Sequence, residues 1–342
     1  MHCMRLGVLD IGSNSAQLQV VDVRPGAPPL PAHSVKSPTL LGEEITPDGS
    51  VSPEGVERVT VAVAEAVDAA HRLGVDQLYP FATSAVRDAT NRDEIIDRIQ
   101  RTVGIRPQFL AGEEEARLTY LAAHRWYGWS VGRLLLLDIG GGSMEIALGR
   151  DADPELALSL PVGAGRLTRA FLHHDPPKRA EVRALRRYVS DTLGEVVDRL
   201  RWESMPRRIV ATSKTFKQLA RLAGAPPQRE GPFVRRELTI EDVQRWIPRL
   251  AGMSAAQRGR LRGVSRPRAK QILAGAVVAH VTMSALGVQR LRICPWALRE
   301  GIMLQHLEST SDTNVRLPLQ PLVRMPEAPA ATVTRLRDNP VG

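Results

Sequence analysis

Cysteine is almost absent from this 342-residue chain: Cys3 and Cys294 are the only two, with no CxxC and no Cys/His spacing. That excludes a disulfide framework and a structural zinc site, and both thiols are expected to be reduced. Long apolar runs are missing as well. No window approaches the ~18 uninterrupted apolar residues of a membrane span, and the amino-terminal MHCMRLGVLD lacks the apolar core of a secretory signal. The expectation is a cytoplasmic protein with no membrane association. Aromatic residues make up 4% of the chain, and none interleaves with the basic runs as a stacking platform would, which argues against nucleic acid as a partner.

The composition has mass and charge to spare elsewhere. With 43% apolar residues, the chain can build two domains, each with its own core. The formal charge of +9 calls for a polyanion, and a phosphate chain without bases would need no aromatic platform. Basic residues cluster at Arg183, Arg186 and Arg187, at Arg207 and Arg208, at Arg235 and Arg236, and from Arg258 to Lys270. Most of these read as solvated helix faces and loops.

One stretch organises the rest: residues 134–150, LLLLDIGGGSMEIALGR. An apolar strand ends in Asp138, a turn of Gly140, Gly141, Gly142 and Ser143 follows, and a second strand starts at Met144 with Glu145 near its beginning. Glycines without Cβ atoms let backbone N–H groups approach phosphate oxygens. Carboxylates on either side suit a Mg²⁺ ion, which takes one or two carboxylates and water. Alone, the stretch would serve equally as a hairpin turn with two solvated acids. The balance shifts because residues 6–15, LGVLDIGSNS, repeat it, with Asp10 over Asp138, Gly12 over Gly140 and Ser15 over Ser143. Two homologous halves facing one phosphate site resemble the actin-like phosphotransferases, such as the sugar kinases.

Between the copies, Ser52 and Pro53 mark a helix start, and Val56, Val59, Val63 and Val67 give it one apolar face. Residues 77–83 read as a strand that Pro80 places at an edge or distorts. The loop ATSAVRDATN holds Arg87, whose guanidinium reads either as a surface partner of Asp88 or Asp93 or as a phosphate clamp. Asn91 with Glu94 predicts a capping box for a helix at about 92–103. Gly112 opens a helix with Glu113, Glu114 and Glu115 in its first turn, where acids also simply oppose the helix dipole. In the second half, Gly163 and Gly165 are expected to bring N–H groups near the ligand. Residues 207–212 read as a strand running into an SKTFK loop, 238–250 and 267–286 as helices, and 289–293 as a last strand. His173 and His174 read as solvent residues, having no third ligand at metal spacing.

GEEEARLTYLA ahead of LLDIGGGSMEIALG, with LDIGSNS before both, resembles the Ppx/GppA phosphatase family of exopolyphosphatases and guanosine pentaphosphate phosphohydrolases. ATSAVRDATN, ATSKTFK and ALREGIML follow in the family's order, so the resemblance spans residues 5 to about 308. It implies an α/β fold of two actin-like, ribonuclease H-like domains: residues 1–128 with a returning helix at about 297–308, and residues 129–296. It also implies a catalytic glutamate at Glu115, phosphate contacts from Ser13, Asn14, Arg87, Gly141, Gly142 and Ser143, and Mg²⁺, or Mn²⁺ as a substitute, on Asp138 and Glu145; Ser213 and Lys214 are further candidate phosphate contacts that this chain's own Ser-Lys-Thr turn adds. Inorganic polyphosphate is the implied substrate, and a homodimer the implied assembly.

Two departures bear on that expectation. Ser213, Lys214 and Thr215 stand where the family commonly has Ser-Gly-Thr near an adenosine seat, so the lysine should disfavour nucleotides and favour a phosphate chain. Cys294, Pro295 and Trp296 replace a common Ser-Asp-Gly turn, with no evident chemical consequence. Residues 309–342 are rich in proline and polar residues and read as disordered. Long family members carry a helical domain there, so short polyphosphates are the expected substrates. The rival readings are hydrolysis of pppGpp to ppGpp, with these alarmones as substrate or inhibitor, and a non-catalytic sensor of polyphosphate or alarmone.

Overall fold

The computed structural model describes residues 4–23, 28–201 and 206–309. Cys3 and the tail beyond Ser309 lie outside the described residues. The first sheet contains β1 (Arg5–Ile11), β2 (Ser15–Asp22), β3 (His33–Pro38), β4 (Gln77–Ala82) and β5 (Gln108–Phe109), in the order β3-β2-β1-β4-β5. β1 is antiparallel to β2 and parallel to β4. Helices α1 (Pro53–Arg72), α2 (Ser84–Arg87) and α3 (Arg92–Val103) accompany it, and α4 (Gly112–Tyr127) leads onward.

The second sheet contains β6 (Leu134–Ile139), β7 (Met144–Gly149), β8 (Leu156–Leu160), β9 (Arg208–Ala211), β10 (Glu237–Thr239) and β11 (Arg290–Ile293), in the order β10-β11-β9-β6-β7-β8. Its helices are α5 (Ala164–Phe171), α6 (Arg179–Arg201), α7 (Ser213–Leu222), α8 (Ile240–Ala251), α9 (Ala255–Arg258) and α10 (Ile272–Ala285). β8-β7-β6-β9-β11 repeats the first sheet strand for strand, with the same antiparallel and parallel pairs and β10 added antiparallel at the edge. The internal repeat of the sequence is therefore a repeat of topology, the duplicated actin-like α/β fold.

Local sequence explains most elements. Ser52 accepts a hydrogen bond from the Gly55 N–H, Pro53 occupies the first turn of α1, and the valine face of that helix is buried against the first sheet. α10 is apolar all round and accordingly sits inside the second core, buried on nearly every face. Each fully buried Leu, Ile or Val there contributes roughly 1.5–3 kcal/mol. No helix among the described residues is long and apolar enough to cross a membrane.

Several expectations need correction. β4 is an interior strand, because β5 pairs with Phe81 and Ala82 only and leaves Pro80 without a neighbour on that flank. Asn91 does not cap α3: its side-chain amide pairs with both the N–H and the C=O of Val51, in the manner of a strand neighbour. The SKTFK segment is the first turn of α7 rather than a loop. Leu238 belongs to β10, so the following helix starts at Ile240, capped by Thr239.

One further helix, α11 (Leu298–Ser309), returns to the first sheet. Ile302 and Met303 pack with Leu6, Val8, Tyr79 and Phe81 of β1 and β4 and with Leu118 of α4. α11 and α4 cross so closely that a Cβ on Gly301 would lie 2.0 Å from the Leu118 carbonyl oxygen. On its other side, α4 places Ala116 and Tyr120 against Leu134, Leu136 and Ala147 of the second sheet. α4 is thus packed between both halves, which sets where its first turn stands.

Candidate active site

The two Asp-Ile-Gly turns are closed by the same bond: Gly12 N–H donates to the Ser15 carbonyl at 3.0 Å, and Gly140 N–H to the Ser143 carbonyl at 2.9 Å. In the first loop, the carbonyls of Gly12, Ser13 and Asn14 accept from the Thr39 hydroxyl, the Gly42 N–H and the Thr39 N–H. In the second, the carbonyls of Gly140 and Gly141 accept from Ala164, Gly165 and Arg166 N–H at 2.8–3.0 Å, and the Gly142 carbonyl accepts from Arg166 Nε at 2.9 Å. The α5 amides therefore face the loop, not a ligand, which corrects the expectation for Gly163 and Gly165. Their effect is to turn the loop carbonyls away. The N–H groups of Gly141 and Gly142 are not among the donors that hold the loop.

The loops meet across the cleft. A Cβ on Gly141 would lie 2.1 Å from Ser13 Oγ, and one on Gly142 would lie 2.4 Å from Ser84 Oγ, so neither position admits a side chain without movement. Ser13, Ser84, Gly141 and Gly142, with Arg166 and Arg169 of α5, line a cavity of ≈ 100 Å³. Asn14 donates to Ser13 Oγ at 3.0 Å and accepts from Gln271 at 3.5 Å, which ties the first loop to the segment leading into α10.

Beside these loops stand the carboxylates. Asp138 and Glu145 are direct cross-strand partners on β6 and β7; the matching pair on β1 and β2 is Asp10 and Gln17, so the second half carries two acids where the first carries one. Asp138 accepts from the Thr212 hydroxyl, and Glu145 accepts from Ser159 Oγ at 3.0 Å. Burial raises the Asp138 pKa, and burial followed by the Asp138 charge pushes Glu145 up to about 7. Glu115, 7% exposed in the first turn of α4, accepts from Arg87 Nη1 at 2.5 Å. Burial, then Glu145, raises the Glu115 pKa well above the usual carboxylate range, with Arg87 opposing. Arg87 also donates to the Leu110 carbonyl and to Asp88, so of its two anticipated surface partners it takes Asp88 and adds Glu115.

The Ppx/GppA phosphatase family model matches residues 19–310. Exopolyphosphatase 1 of Mycobacterium tuberculosis is 47% identical over 309 residues, covering 90% of either chain, and Exopolyphosphatase 1 of Mycobacterium leprae is 45% identical over 309 residues, covering 90% of this chain and 91% of its own. The chain belongs to the Ppx/GppA phosphatase family. Among solved structures, an Aquifex aeolicus family member superimposes with a TM-score of 0.72 at 26% identity, covering 92% of this chain and all of its own. A Cytophaga hutchinsonii exopolyphosphatase shares the fold, with a TM-score of 0.81 at 23% identity over 90% of this chain and 98% of its own.

In this family member the fold adds groups that sequence reasoning did not single out. Arg299 of α11 lies 3.6 Å from Asp10, and the charge of Arg268 acts on both Asp10 and Asp138. Lys214, exposed at the cleft, joins Lys36, Arg268 and Arg299; partial loss of hydration first, and then these like charges, lower the pKa values of both lysines. Ser213 adopts a left-handed backbone (φ 60°) and bonds the Asp138 carboxylate. Thr212 had a signal available: Ala211-Thr212-Ser213 echoes Ala82-Thr83-Ser84 at the equivalent strand end of the first half. Arg299 stands inside the ALREGIML motif, which by itself gave it no role, while Arg166 and Arg268 had no signal, each lying far in sequence from the loop it serves.

The fit of a divalent cation can be judged from the donors. Hard carboxylate oxygens on facing positions of β6 and β7, both harder to ionise through burial and Glu145 further so through the Asp138 charge, match what Mg²⁺ stabilises. No cluster of three or more His, Cys, Asp or Glu residues among the described residues would hold an ion by protein ligands alone.

Proposed function

We propose that this chain is an exopolyphosphatase, which hydrolyses the terminal phosphoanhydride of inorganic polyphosphate and releases orthophosphate. The observation that carries the reading is Glu115: a buried carboxylate in the first turn of a helix packed between both sheets, gripped by Arg87 and adjoining a second acid, Glu145, beside two glycine loops whose carbonyls are all turned aside. The relatives named exopolyphosphatase, at 45–47% identity, support it.

In this reading the terminal phosphoryl group lies between the loops, its oxygens taking N–H bonds from Gly141 and Gly142 and hydroxyl bonds from Ser13 and Ser143. Asn14 orients Ser13. Glu115 holds a water in line with the scissile bond and accepts its proton as oxygen attacks phosphorus. Arg87 keeps the Glu115 carboxylate in place and lies close enough to meet charge that develops on the transferred group. Asp138 and Glu145 would hold Mg²⁺ or Mn²⁺, which when bound neutralises phosphate charge and polarises the terminal group. Ser213 and Lys214, with Lys36, Arg268 and Arg299, receive the rest of the anionic chain.

Glu115→Gln should abolish phosphate release with Mg²⁺ while leaving polyphosphate binding within about threefold, since the amide keeps the shape but cannot take a proton. Release of phosphate by that variant at more than a few per cent of the wild-type rate would remove Glu115 from the role. Running pppGpp in the same assay tests the substrate: faster release from pppGpp than from tripolyphosphate would reassign it.

A further inference from the structure

Arginines that the cleft does not use converge elsewhere. Arg207 and Arg208 at the start of β9, Arg235 ahead of β10, and Arg290 and Arg292 on β11 line one groove of ≈ 230 Å³ together with Glu237. It lies at the opposite end of the sheet from the loops: β6 pairs Leu134 with Arg208 and reaches Asp138 only at its far end, roughly 13 Å further on at ~3.3 Å per residue.

The charge balance of this groove is unusual. Its lining holds five guanidinium groups and one carboxylate. Glu237 is shared by Arg235 at 2.5 Å, Arg290 at 3.3 Å and Arg292 at 3.4 Å. Neither Arg207 nor Arg208 is ion-paired among the described residues; Arg208 instead lies over the Tyr127 ring at 5.0 Å. Burial, then Arg292, Arg207 and Arg235, weigh against the charge on Arg208. The cations sit on β9 and β11 and at the entries to β9 and β10, so they cross three adjacent strands. At ~4.8 Å per strand that is a row of roughly 10 Å, longer than one phosphate and suited to several joined ones. Guanidinium forks match phosphate oxygens in pairs, and an anion in the groove would relieve the mutual repulsion.

We propose that this arginine groove is a second site for a linear condensed phosphate, free or carried on a nucleoside, separate from the hydrolytic cleft. It shares only the ligand class with the proposed function and does not require turnover. Phe233, 83% exposed and stacked on Trp126 beside Tyr127, supplies a face for a base if the chain is carried on a nucleoside.

The test is calorimetric titration of the full chain with tripolyphosphate and, separately, with GTP, without divalent metal so that hydrolysis does not intervene. Arg235→Ala with Arg290→Ala, both at exposed side chains, is the comparison, with circular dichroism to confirm folding. Two binding events are expected for the wild type with at least one ligand, and in the double variant the one assigned to the groove should weaken at least tenfold. Phosphate release from tripolyphosphate with Mg²⁺ should stay within about twofold of wild type. If tripolyphosphate fills the groove, the ligand is the inorganic chain; if only GTP does, and Phe233→Ala weakens it, the ligand is a nucleoside polyphosphate. One event for both ligands, unchanged in the double variant, overturns the proposal. Absence of phosphate release from the wild type would instead count against the exopolyphosphatase reading and leave this titration intact. Arg235→Lys with Arg290→Lys, which keeps the charge, should restore part of the groove affinity, and failure to do so while both doubles fold would equally count against it.

Discussion

Replacing Gly163 by alanine tests whether α5 sets the position of the phosphate loop. A Cβ there would lie 2.3 Å from the Gly142 carbonyl carbon, 2.4 Å from Ser143 N and 2.5 Å from Gly142 N, all of them backbone atoms, where ordinary contact begins at 3.4 Å. No rotamer relieves the overlap, so loop and helix must separate by about 1 Å. The three hydrogen bonds from Ala164, Gly165 and Arg166 to the loop carbonyls would stretch or break, at about 1 kcal/mol each. A displacement of that size at the reacting group can lower turnover about 10²-fold, equivalent to about 2.7 kcal/mol in the barrier. The backbone of Gly163 (φ −66°) tolerates alanine, so the loss would come from the contact and not from strain within the residue. The assay is phosphate release from tripolyphosphate with Mg²⁺, alongside thermal unfolding. Gly194→Ala, in the interior of α6 with nothing within 4 Å of the added Cβ, is the control. It should leave activity unchanged and stabilise by about 0.5–1 kcal/mol. A folded Gly163→Ala protein with kcat/KM within threefold of wild type would refute the argument that this helix fixes the loop.

Lys214→Gly should raise KM for polyphosphate by roughly tenfold to a hundredfold, corresponding to a charge-assisted bond of about 1.5–3 kcal/mol, and should improve nucleotide binding relative to polyphosphate; unchanged selectivity would sink the lysine as a discriminator. His306 makes a stability prediction. Buried in α11 and bonded through Nδ1 to the Tyr79 hydroxyl at 2.5 Å, its imidazole has a pKa lowered by burial from 6.5. The folded state thus holds neutral His306 while the unfolded chain takes a proton near 6.5. Its contribution is complete above that pH and is lost as the pH falls through the lowered value. His306→Gln should flatten the fall of the melting temperature below pH 6.5, and an unchanged slope would show that His280, also lowered by burial, or the carboxyls govern it.

What was legible in the sequence was carried by short-range chemistry. Ser52 and Pro53 announced α1, because a hydroxyl cap and a proline without an N–H each suit one particular place in a helix. Residues whose partners are distant were misread. Asn91 and Glu94 have capping-box spacing, yet Val51 offers the Asn91 amide both a donor and an acceptor, and that pairing won. Gly163 and Gly165 look like ligand-facing glycines, but their helix end is spent on the neighbouring loop. SKTFK follows a strand as a loop would, yet the chain turns at once into α7, with Ser213 at a positive φ.

The sequence by itself determined that there are two halves, that each carries an Asp-Ile-Gly turn, and that Asp138, Glu145 and Glu115 are the acids to weigh. Repetition, glycine and charge are properties of residues and survive without coordinates. Only the tertiary structure decided what these groups do to one another: that Arg87 grips Glu115, that burial and the Asp138 charge make Glu145 harder to ionise, and that Arg299 on the last described helix returns to Asp10. It also gathered Arg207, Arg208, Arg235, Arg290 and Arg292 from β9, β11 and the entries to β9 and β10 into one groove. Electrostatic effects depend on distance and burial, and neither is set until α4, α11 and the two sheets are packed together.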